Sequence, residues 1–147
     1  MIRHLSFQYQ PQKLRDSAVA GSTPITDANP VDFLDGISAT FVAHLGTLSA
    51  GQQTYLKLQH SDVVDSGYED IPDARTAIPA DTESNKTLTI SITRPLKRFV
   101  KPVLVRGTGN AGLNSIFAYV ETRYKPAPQH VTQAAPTVFV DGNRVIV

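Results

Sequence analysis

A chain of 147 residues amounts to one domain, long enough to bury about two thirds of its unfolded surface. Hydrophobic residues make up 41% and charged residues 18%, with a net charge of +1, so the surface is rich in uncharged polar groups and exerts no global pull on nucleic acid or anionic lipid. The absence of cysteine excludes disulfides, thiolate metal sites and a cysteine nucleophile, and no apolar run reaches the roughly 18 residues of a membrane-spanning helix.

The opening Met1-Ile2-Arg3-His4-Leu5 lacks the apolar core and cleavage site of a secretory signal, so the expectation is a soluble protein outside the general secretory route. Residues 1–30 mix short apolar pieces with Gln, Pro, Gly and Asn and read as an N-terminal arm or a set of first strands. A β-sandwich core is expected over 31–124. Within it, Ile37, Ala39, Phe41, Ala43 and Leu45 alternate with Ser38, Thr40, Val42 and His44, the period of a half-buried strand.

Tyr55 to Gln59 repeats that alternation, and Thr87 to Thr93 gives its clearest form, with Leu88, Ile90 and Ile92 on one face. Two more strands are predicted over Lys97 to Arg106 and Leu113 to Tyr124. Pro102 cannot donate to a ladder, so an edge strand or a bulge is expected there. Ten prolines and nine glycines leave few windows for a helix, and only a short turn is anticipated between Asp73 and Ala80. Residues 125–147 read as a proline-rich linker and then a hairpin or tail around Asp141-Gly142. That apolar tail either completes the same sheet or covers a neighbour. Fold class is therefore all-β, a jelly-roll-like antiparallel sandwich with extended ends.

Chemical motifs are sparse. Gly107-Thr108-Gly109-Asn110-Ala111-Gly112 matches the dinucleotide fingerprint, but a strand-like segment follows where a helix must hold the pyrophosphate, so no nucleotide site is expected. Asp62, Asp65 and Asp70 miss the spacing of a calcium loop, and no GxSxG elbow exists. His4, His44, His60 and His130 form no zinc pair, and the glutamates near mid-chain (Glu69, Glu83) have no paired histidines to complete a cupin-type site. The chain is accordingly read as a non-enzyme without cofactor or metal. Charge is segregated along the sequence: acids dominate Asp62 to Glu83, while Arg94, Lys97, Arg98, Lys101 and Arg106 form a basic stretch without an acid. Two readings stay open, solvated faces or complementary docking patches.

The run Leu56-Lys57-Leu58-Gln59-His60-Ser61-Asp62, followed by Gly67-Tyr68-Glu69-Asp70-Ile71 and later by Lys97-Arg98-Phe99-Val100-Lys101-Pro102-Val103, resembles small jelly-roll decoration (cement) proteins of tailed-phage capsids, of the type on some short-tailed phages. The likeness spans residues 37–124. It implies a structural virion protein, assembled in the host cytoplasm onto the outer capsid surface. Such a protein clamps adjacent subunits of the major capsid protein and forms a homodimer or, in other decoration families, a trimer. Charge balance and the lack of a long apolar run leave no nucleic-acid or membrane partner expected. Contact residues are expected among Arg94, Lys97, Arg98, Lys101, Asp62 and Asp65, and in the tail at Val145 and Val147. The alternative is a carbohydrate- or host-surface-binding jelly roll, with Tyr55, Tyr68, Tyr119 and Tyr124 as stacking faces.

Overall fold

The computed structural model describes residues 9–122, which form nine strands and no helix. They are β1 (Tyr9–Arg15), β2 (Ala18–Gly21), β3 (Val31–Asp32), β4 (Gly36–Leu48), β5 (Tyr55–Ser61), β6 (Glu69–Arg75), β7 (Thr87–Thr93), β8 (Phe99–Val105) and β9 (Ala111–Thr122). One sheet runs β1-β9-β4-β7, with β2 also on β9; the other runs β3-β8-β5-β6, and every pairing is antiparallel. Because β1 and β2 pair successively with β9, they are two halves of one edge strand broken at Asp16-Ser17. Counted so, the eight strands interleave between sheets in the order of a jelly roll.

The alternation in β4 produces the core directly. Ala39, Phe41, Ala43 and Leu45 are buried, facing Leu56 and Leu58 of β5 and Val100 and Leu104 of β8 across the sandwich. In β9 the buried row is Leu113 and then Ile116, Ala118 and Val120, a phase slip of one residue. A bulge explains it: β4 pairs His44 with Ser115 but Leu45 with Leu113, leaving Asn114 over, and its Nδ2 donates to the Leu45 carbonyl at 3.1 Å.

Two expectations change. The predicted turn at 73–80 is instead the end of β6 followed by extended chain, with Thr76 N–H donating to the Leu56 carbonyl. Pro102 is neither on an edge strand nor in a bulge: β8 lies inside its sheet, and Pro102 is opposite Leu58 in unbroken register. The missing donor is harmless because N–H and C=O groups alternate sides along a strand. Leu104 exchanges bonds with Ile25 on the β3 side, so the Pro102 nitrogen points the same way, into the gap where residues 26–30 leave the ladder. Residues 9–30, expected as an N-terminal arm or a set of first strands, supply the β1 and β2 edge and bury Leu14, Ile25 and Ala28. The proline-rich segment, the Asp141-Gly142 hairpin, Tyr124, His4 and His130 lie outside the described residues.

Candidate interaction surface

The connections gather at two ends. At one, the β4–β5, β6–β7 and β8–β9 loops are joined by hydrogen bonds. Gln52 donates to the Pro79 carbonyl at 2.7 Å and accepts from Thr54 N–H at 2.8 Å, while Thr108 donates to the Gly51 carbonyl at 2.8 Å. Gly107 and Gly109, two glycines of the nucleotide-like motif, serve this packing. A Cβ on Gly109 would stand 2.7 Å from the Gln52 backbone nitrogen, and the strand predicted to follow the motif is β9.

The opposite end carries the β3–β4, β5–β6 and β7–β8 loops, and here the tips are apolar and wet. Leu96 is 92% exposed, Leu34 65% and Val63 55%, with Val64 beside them. These tips are held rather than loose. Asp32 Oδ1 accepts from Leu34 N–H at 2.9 Å and, with Oδ2, takes a two-pronged contact from Arg98 at 2.8 and 2.7 Å. Ser61 Oγ accepts from Val63 N–H at 3.0 Å and donates to the Ser66 carbonyl; Tyr68 Oη donates to the Val64 carbonyl at 2.8 Å. Lys97 reaches Glu69 at 2.6 Å, so the β7–β8 loop is tied to Asp32 on one side and to the start of β6 on the other. The three loops are thus one continuous surface, apolar at its tips and charged around them.

Most residues expected at contacts converge on this end. Asp62 and Asp65 are exposed in the β5–β6 loop, and Asp65 adds its charge to the burial that raises the Tyr68 phenol. Arg94 is exposed at a positive φ of 50°, its N–H donating to the Ile37 carbonyl. Lys101 stands 4.3 Å above the Tyr68 ring. The basic stretch is not one free patch: Lys97 and Arg98 are engaged within the chain, and Arg106, at the other end of β8, is buried against backbone carbonyls. Val145 and Val147 lie outside the described residues.

Electrostatics follow these pairs. Arg98, by hydrogen bond, holds the Asp32 carboxyl below the usual range against partial burial, and Lys97 and then His60 do the same to Glu69. His60 is buried at the inner end of β5, its Nε2 3.4 Å from Glu69. Among the described residues, no three His, Asp or Glu side chains are grouped as a metal site would need. Elsewhere a polar cleft of about 270 Å³ runs beside β1, lined by its own ion pairs, Arg15 with Asp27 and Lys13 with Asp16.

Sequence reasoning located the charges here but missed the apolar tips. Leu34, Val63 and Leu96 stand far apart in the chain, and only the strand order brings them together. One signal was available: Val63-Val64 sits inside the turn-forming run Ser61-Asp62…Asp65-Ser66-Gly67, where apolar residues have no core to enter.

No family model matches this chain, and no curated protein does. Among solved structures it is similar to the Eiger TNF from S. frugiperda, with a TM-score of 0.43 and 10% identity over 83% of this chain and 98% of that one. A likeness of that size carries no argument about function.

Proposed function

We propose that this chain is a non-catalytic structural protein of the outer capsid surface, seated by its apolar loop end on the major capsid protein and acting as an oligomer that clamps adjacent subunits. The observation that carries the reading is the set of exposed apolar tips ringed by charge: Leu34, Val63 and Val64, whose backbone groups are hydrogen-bonded, and Leu96, which precedes the ion-paired Lys97 and Arg98. An apolar centre within a polar rim is the anatomy of a protein-binding patch, and pre-ordered loops lower the entropic cost of docking. Further support comes from the segments that resemble capsid cement proteins. The distant 97–103 segment and the two neighbouring ones lie side by side on β8, β5 and β6, with Gln59 opposite both Lys101 and Asp70 and His60 opposite both Val100 and Glu69. Sugar binding has less behind it: the Tyr55 and Tyr68 rings each have one face covered, by Arg75 at 5.1 Å and by Lys101.

The test is co-sedimentation of the purified chain with capsids assembled from the major capsid protein of the phage that carries it. The native chain pellets with the shells; Leu34→Asp with Leu96→Asp, at sites too exposed to disturb folding, leaves it in the supernatant. Virions lacking the chain lose heat tolerance. A native chain that stays in solution, or a double variant that pellets equally well, refutes the proposal.

A further inference from the structure

Among the described residues the sandwich has four edges, and three are guarded against a further strand. The β1–β2 edge is broken at Asp16-Ser17, is bulged between Lys13 and Arg15, and carries Pro11. β3 is two residues long. β6 contains Pro72, carries Asp70 and Asp73, and has Asp73 at a positive φ of 61°. Breaks, prolines, charges and extreme shortness are the usual means by which a sheet avoids pairing with another chain. β7 has none of them. It is seven residues of Thr-Leu-Thr-Ile-Ser-Ile-Thr in unbroken register with β4, without charge, proline or bulge, at the end of its sheet.

Its free side can be read from the ladder. Arg94 N–H donates to the Ile37 carbonyl and the Lys86 carbonyl accepts from Leu45 N–H, so even-numbered residues face β4. Thr87, Thr89, Ser91 and Thr93 therefore direct their N–H and C=O groups outward. The sequence is also close to a palindrome about Ile90. Turned end for end against itself, it sets Thr87 opposite Thr93, Leu88 opposite Ile92, Thr89 opposite Ser91 and Ile90 opposite Ile90. Hydroxyls meet hydroxyls on the outer face, and apolar side chains meet on the inner face, where Ile90 and Ile92 are only half-buried.

We propose that β7 is a self-association edge: two copies of this chain join β7 to β7, antiparallel, about a two-fold axis at Ile90. In that register every outward N–H and C=O of Thr87, Thr89, Ser91 and Thr93 finds a partner on the other copy, and the two inner apolar rows become one. Self-complementarity of this kind is what a two-fold interface demands, and matched β-branched and hydroxyl pairs are the favourable cross-strand contacts. Lys86 and Arg94 oppose each other at the two ends of the ladder. Both are exposed, so their repulsion is screened, and salt tightens the pair.

Sedimentation equilibrium of the full chain reads the dimer. Thr89→Lys with Ser91→Lys sets lysine against lysine twice across the axis and raises the dissociation constant at least about tenfold. Thr89→Lys with Ser91→Glu sets lysine against glutamate in the same register and restores pairing. The chain has no cysteine, so Ile90→Cys under mild oxidation yields a covalent dimer only if the two residues 90 lie about 4.5 Å apart, the spacing of a non-hydrogen-bonded pair. Thr87→Cys, far from its own copy in this register, stays monomeric on a denaturing gel. A native chain that sediments as a monomer at high micromolar concentration overturns the proposal. So does a dimer indifferent to the double lysine, a dimer that dissociates as salt rises, or equal cross-linking at 87 and 90. Because no capsid enters these measurements, their outcome is independent of the docking test.

Discussion

Arg106 offers a stringent test of how the sandwich is held shut. It is only 9% exposed, immediately after β8, and among the described residues its contacts are to carbonyls and not to a carboxylate. Its Nε donates to the Thr23 carbonyl at 2.6 Å, and Nη1 donates to the carbonyls of Val19 at 2.9 Å and Ala111 at 2.8 Å. One guanidinium thus ties β2, the loop after it and the start of β9 together. Burial, with a minor contribution from Arg15, lowers its pKa below the usual arginine range. Arg106→Met keeps most of the bulk and removes the donors. The buried Ala111 carbonyl then loses its partner at about 1–3 kcal/mol, while the two partly buried carbonyls regain water and lose about 0.5–1.5 kcal/mol each. Relief of guanidinium desolvation returns part of this, so a net loss of about 2–4 kcal/mol is expected. Urea unfolding should show it as a lower midpoint at unchanged slope, and heating as a fall of about 10 °C. Arg106→Lys, whose single nitrogen cannot serve three carbonyls on separate segments, should fall between. If the methionine variant matched the parent, desolvation would cancel the bonds and the reasoning would be wrong; if lysine and methionine were equally destabilising, the bonds would not be the cause.

Gly109→Ala should destabilise by about 1–3 kcal/mol, because its Cβ meets the Gln52 backbone rather than a movable side-chain end; denaturant midpoints measure it. Thr54 Oγ1 is buried without a hydrogen-bond partner among the described residues, so Thr54→Val should be neutral or stabilising by up to about 1 kcal/mol by the same assay. Asp32, Asp27 and Asp70 have carboxyls held below their ordinary range, chiefly by hydrogen bonds from Arg98, Arg15 and Lys57 respectively. A lowered folded-state pKa contributes stability that is complete above the unfolded value and is lost as pH falls through the folded one. Stability should therefore decline below about pH 4, the ordinary carboxylate range, and Asp32→Asn should make that decline shallower while lowering stability slightly at neutral pH, as thermal melts across pH would record.

Strand legibility tracked how cleanly burial alternates. β7 coincides with the predicted Thr87 to Thr93, and β4 differs from its prediction by only a few residues at its ends, because each runs beside a continuous partner with one face inward. β6 was invisible: Glu69 to Arg75 is an edge strand in which only Ile71 and Ala74 reach the core, and the positive φ at Asp73 breaks its period. β1 was obscured because its buried residues are Gln10 and Leu14, one of them polar, ahead of a bulge. The loop end was half legible. Its charges are runs in the sequence, whereas the Arg98–Asp32 pair spans 66 positions and the apolar tips belong to three separate connections.

The two proposed surfaces constrain each other. A two-fold axis at Ile90 sets the copies of β7 antiparallel, and the β7–β8 loop leaves from the Thr93 end of each strand. The loop ends of a dimer therefore face apart, one at each extremity of a joined sheet, and cannot both seat on one flat patch. Bridging two neighbouring subunits is what such a body can do. The second contact then occurs at an effective concentration set by the rigid spacing of the first, and avidity can exceed a single contact by about 10²–10⁴-fold. Thr89→Lys with Ser91→Lys touches none of the apolar tips, yet it should weaken retention on an assembled shell by a factor of that order while leaving binding to a single isolated subunit unchanged. Equal losses in both assays would mean that the dimer places its loop ends otherwise than a β7 two-fold requires.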